Sequence, residues 1–102
     1  MRMLLKVSMD VEAANKAISD GSFQKIIHPL LDSLKPEATF FTTEWGKRTA
    51  FIFFQLSEPS QIPQIAEPFF QLLKAEIEFK PVMTREEVSK GLQAWSGRKA
   101  AA

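Results

Sequence analysis

Cysteine is absent, which excludes disulfides, thiolate-bound zinc, iron–sulfur clusters and thiol nucleophiles. A single histidine, His28, leaves no His-rich metal site and no Ser-His-Asp arrangement to argue for. The four glycines, Gly21, Gly46, Gly91 and Gly97, form no phosphate-binding pattern. No run approaches the roughly 20 apolar residues that span a bilayer. Lys6 and Asp10 interrupt the apolar start before a signal-peptide core can form. There is no lipidation motif. Charge is balanced, with 13 basic and 12 acidic residues and no block of one sign, whereas a nucleic-acid reader concentrates positive charge on one surface. The expectation is a cytoplasmic protein with no nucleic-acid or membrane partner, no metal and no cofactor.

What is present suits one small globular domain. The chain has 102 residues, 45% of them hydrophobic and 25% charged. The domain is expected over residues 1–96, with a frayed tail over 97–102. Met3, Leu5, Val7 and Met9 alternate with Leu4, Lys6 and Ser8, the period of a strand. Asp10 is placed to cap a helix from about residue 11. Gly21-Ser22 punctuates that helix. Phe23, Ile26, Ile27, Leu30, Leu31 and Leu34 then form an amphipathic stripe, with Pro29 predicting a kink or a local break near residue 25.

Residues 38–45 and 48–56 are rich in Phe, Thr and Ile, and Trp45-Gly46-Lys47 between them is a hairpin signal. The turn places Phe41 on one face with Ala50, Ile52 and Phe54. It places Phe40, Thr42 and Glu44 on the other with Thr49, Phe51 and Phe53. Pro63 fits the first turn of a helix over about 60–73. Residues 75–82 alternate again, and Pro81 ends that strand or marks an edge. Thr84-Arg85-Glu86-Glu87 is a capping box opening a final helix over about 84–95, lined by Val88, Leu92 and Trp95.

The order is β-α-β-β-α-β plus a C-terminal helix. It predicts an α+β, ferredoxin-like fold: a four-stranded antiparallel sheet with helices on one face. The more uniformly apolar face belongs under the helices. The other carries Phe40, Phe51 and Phe53 among charges, and exposed apolar patches of that kind mark interaction sites. A second copy of the chain is the simplest cover, so a homodimer is expected.

Element order, length and the half-polar second sheet face together resemble the dimeric α+β barrel group of ferredoxin-like proteins. That group includes antibiotic-biosynthesis-type monooxygenases, muconolactone-isomerase-like enzymes and stress-responsive barrel proteins. The resemblance spans residues 2–95. The stretches Lys35-Pro36-Glu37-Ala38-Thr39-Phe40-Phe41-Thr42-Thr43-Glu44 and Pro59-Ser60-Gln61-Ile62-Pro63 are similar to an uncharacterised bacterial branch of it. The resemblance implies a small, partly apolar ligand held between sheets. Cofactor-independent monooxygenase, isomerase or cyclase chemistry and a protein-interaction module are the alternatives.

Strand parity then assigns a ligand site to Lys6, Phe40, Thr42, Glu44, Phe51, Phe53, Glu76 and Glu78. No catalytic residue is assigned. Glu76 and Glu78 share a face, as acid–base carboxylates can, but an ion pair of either with Lys6 accounts for them equally. Glu44 is expected to meet Lys47 across the turn. His28 reads as a boundary residue on the helix side, away from this face.

Overall fold

The computed structural model describes residues 1–101, with side chains through Arg98. Asp10 opens the first helix: its carboxylate accepts from the Ala13 amide at 2.9 Å. Strand β1 (Arg2–Ser8) therefore leads directly into α1 (Val11–Ser19). Gly21 adopts a left-handed conformation, φ 79°, and the chain restarts as α2 (Ser22–Leu34). The Asp20 carboxylate supplies the acceptor at that restart, taking the Ser22 amide at 2.9 Å. Ser22, through its side chain first and its amide second, holds the Asp20 carboxyl below the usual carboxylate range. α2 runs unbroken through Pro29, so the expected break near residue 25 is not realised.

Strands β2 (Ala38–Glu44) and β3 (Lys47–Gln55) form the hairpin. Trp45 and Gly46 both have positive φ, 54° and 76°, the signature of a type I′ two-residue turn. The register Glu44↔Lys47, Thr42↔Thr49 and Phe40↔Phe51 follows from that turn. Helix α3 (Gln61–Leu73) and strand β4 (Glu76–Pro81) complete the second half, and α4 (Arg85–Ala101) follows. The α4 helix opens on the expected capping box. Thr84 Oγ1 accepts from the Glu87 amide at 3.1 Å, and Glu87 Oε1 accepts from the Thr84 amide at 2.9 Å. The expected tail, 97–102, reaches beyond the described residues.

The sheet order is β2-β3-β1-β4, with every neighbouring pair antiparallel. This is the expected α+β, ferredoxin-like arrangement. Leu5, Val7, Ala50 and Ile52 are fully buried beneath the helices, and Phe54, Phe69 and Leu73 join them. Phe79 reaches the same core edge-on to Phe54, with centroids 6.5 Å apart. One expected core residue departs from this pattern. Phe41 shares the helix-side face but is 55% exposed, because β2 is an edge strand that the helix layer does not cover.

The barrel assignment is overturned. The sheet is open: β2 and β4 are free edges, and the four strands do not close on themselves. Element order specifies the sheet but not its closure, so an architectural resemblance carried the barrel further than the residues did. The ligand held between sheets goes with it, since no barrel interior exists to enclose one.

Two outcomes follow from this packing. Leu5→Ala removes a fully buried side chain from the central strand and is expected to cost about 2–5 kcal/mol in chemical denaturation. Glu87 is held below the usual carboxylate value, chiefly by the Thr84 amide. Its contribution to the α4 root is therefore complete above about pH 5 and is lost as pH falls through its lowered value. Cα chemical shifts of Val88 and Gly91 followed in acid should lose helical character before those of α3.

Candidate functional site

β1 lies between β3 and β4, so the register across three pairs lays the even-numbered β1 positions out in rows. Phe40, Phe51, Lys6 and Glu78 form one row across the sheet. Ala38, Phe53, Leu4 and Lys80 form the row on one side of it, and Thr42, Thr49, Ser8 and Glu76 the row on the other. All eight residues read from parity as a site therefore share the sheet face opposite the helices. Phe40 is 61% exposed there, while Phe51 and Phe53 are half-buried. Thr49 is the exception on this face, fully buried with its hydroxyl donating to the Lys47 carbonyl at 3.1 Å.

The charges pair differently from expectation. Lys6 stands opposite Glu78 in the register, yet its ammonium meets Glu44 Oε2 at 2.8 Å. That oxygen is buried and lacks a hydrogen bond of good geometry, so the Lys6 charge is what compensates it. Glu44 is the first cause of a raised Lys6 pKa. Glu78 instead meets Lys80 at 3.0 Å, and Lys47 reaches Glu76 at 3.5 Å rather than Glu44. Parity gives the face of a side chain. It does not say which neighbouring row a long lysine will reach.

A second ionic group closes the far end of the face. The Arg2 guanidinium spans Glu37 Oε2, 3.4 Å from Nε, and Glu87 Oε1, 3.1 Å from a terminal nitrogen. Gln55 donates to the other Glu37 oxygen at 2.8 Å, and this bond leads the causes that lower the Glu37 pKa. Sequence reading missed Arg2 and Glu37. Their signal was available, because Arg2 has the parity of Leu4 and Lys6.

The face does not enclose a cavity. A depression of about 430 Å³ lies at its hairpin end, lined by Lys6, Ser8, Trp45, Glu76, Ile77 and Glu78. Phe40, Phe51, Phe53, Thr42 and Glu44 of the expected set lie outside that lining. A separate groove of about 320 Å³ runs between α2 and α3 above Phe54 and Phe69, and no ionisable side chain lines it. His28 is exposed on α2. Among the described residues no three His, Asp or Glu side chains gather as a metal site, and no helix is long and apolar enough to cross a membrane.

No family model matches the chain, and a search of the curated proteins returns no match. The site is therefore argued from its geometry.

The Lys6–Glu44 pair yields a specific expectation. Lys6→Met leaves the buried Glu44 oxygen without a compensating charge and should lower the denaturation midpoint. Adding Glu44→Gln to that variant should recover part of the loss. A double variant no more stable than Lys6→Met alone would show that the two side chains act independently.

Proposed function

We propose that this protein works by homotypic association, and that the sheet face opposite the helices is its working surface. The observation that carries this reading is the aromatic row on an otherwise finished sheet. The helices cover one face except at Phe41 on the edge strand, while the other leaves Phe40 largely in water beside Phe51, Phe53 and Leu4. Burying a phenylalanine gains roughly 1.5–3 kcal/mol over leaving it exposed. An uncovered group of this kind is a reservoir of association energy.

The ionic pattern supports the same reading. Glu44, Glu76 and Glu78 each have a lysine partner within the chain, so the face presents little unbalanced charge. A neutralised apolar surface suits a protein partner. It suits acid–base catalysis poorly, since that requires a carboxylate free to exchange its proton with a substrate. The residues expected to line a ligand site form the docking surface, with Phe40 and Phe51 on its β2–β3 side and Glu76 and Glu78 at its β4 edge.

Sedimentation of the parent chain should show a two-chain species at micromolar concentration, with a melting temperature that rises with concentration. Phe40→Glu alters a side chain that the monomer leaves mostly in water, so the fold should persist. The same change should raise the dimer Kd by about tenfold or more, because a charge would enter a desolvated apolar surface. A parent chain that sediments as a single 11.5 kDa species under these conditions contradicts the reading.

A further inference from the structure

The α4 helix has nothing to pack on. Every described side chain from Arg85 to Arg98 is exposed, including Leu92 at 59% and Trp95 at 57%. The radius of gyration is 17.3 Å, against roughly 13 Å for a compact chain of this length. The longest dimension is 62 Å while the others are 27 and 19 Å, which makes α4 an arm of about 25 Å leaving the body.

Isolated helices a few turns long are marginal in water. Gly91 inside α4 weakens it further relative to alanine. Val88, Leu92 and Trp95 fall at i, i+4 and i+7, three apolar side chains on one side of the helix with Gly91 among them. A Cβ placed on Gly91 would meet nothing within 4 Å, so the stripe carries an open notch between Val88 and Trp95.

Resting on the reading that a second copy covers the open sheet face, we infer that the cover is α4, exchanged between two copies. Each chain has one uncovered aromatic face and one uncovered helix, and a two-fold pair satisfies both on both chains. The root of the arm is tied to the start of β1. The Val82 amide bonds the Arg2 carbonyl at 3.2 Å, Glu87 closes the Thr84 capping box, and Arg2 clamps Glu87. Covering the exposed parts of Trp95, Leu92 and Phe40, with what remains open of Phe51 and Phe53, in both copies removes at most about 1,000 Å² from water. That is the lower bound for a specific interface.

The absence of cysteine makes the test clean. Ser96→Cys chains carrying a nitroxide label are mixed with ¹⁵N-labelled parent chains, and amide broadening is read only on the ¹⁵N chain. Exchange predicts broadening at Leu4, Phe51 and Phe53 of the ¹⁵N-labelled, nitroxide-free partner. Broadening confined to the spin-labelled chain's own sheet, seen when that chain is itself ¹⁵N-labelled, overturns exchange in favour of closure within one chain. Trp95→Glu should raise the dimer Kd by about tenfold or more without altering the fold of the body. A dimer unchanged by Trp95→Glu but broken by Phe40→Glu overturns the helix exchange and leaves the docking face standing. A parent chain that is monomeric throughout overturns both.

Discussion

The placement of β1 between β3 and β4 governs the rest of the molecule. An interior strand has neighbours on both sides, so its alternation sets the alternation of the whole sheet. Met3, Leu5 and Val7 face the helices and are buried. Leu4 and Lys6 consequently face the other way, and every partner in their rows faces with them. The type I′ turn at Trp45-Gly46 extends that parity to β2 without a slip. The core and the open aromatic face are thus two results of one register.

The open face is organised by long side chains more than by backbone. Lys6 leaves its own row to meet a buried carboxylate oxygen of Glu44, and Lys47 bridges from the hairpin to the opposite edge strand at Glu76. These contacts tie β1, β3 and β4 to the hairpin end above the plane of the sheet. They also cancel charge locally, so the phenylalanines dominate what a neighbour would meet. At the other end Arg2 joins the start of β1 to the root of α4 through Glu87. The arm and the face are coupled through that one guanidinium.

Much of this was legible in the sequence. The strand period of residues 3–9, the hairpin glycine, the Asp10 cap and the Thr84–Glu87 box each have a local cause, and local causes are written in adjacent residues. The eight face residues followed from parity alone. Phe41 did not, because its exposure depends on how far a helix layer extends across the sheet, a property of three elements together. The partner of Lys6 was illegible for a related reason: a flexible four-carbon stem reaches several positions, and burial of the acceptor decides among them. Whether the sheet closes lies further still from the sequence pattern, since an open and a closed sheet of this order share the same alternation.

The position of β1 also bears on how the chain assembles as it is made. Its two neighbours lie at residues 47–55 and 76–81, so the strand synthesised first is the last to be completed on both sides. The β2–β3 hairpin is local in sequence and can form as soon as it emerges. β1, by contrast, must close a loop of about 40 residues and then wait for β4, contacts of high sequence separation that slow folding. Until β4 arrives, β1 is itself an edge, with Leu5 and Val7 beside an unpaired backbone, and the nascent chain carries an aggregation-prone surface on the first-made of its four strands.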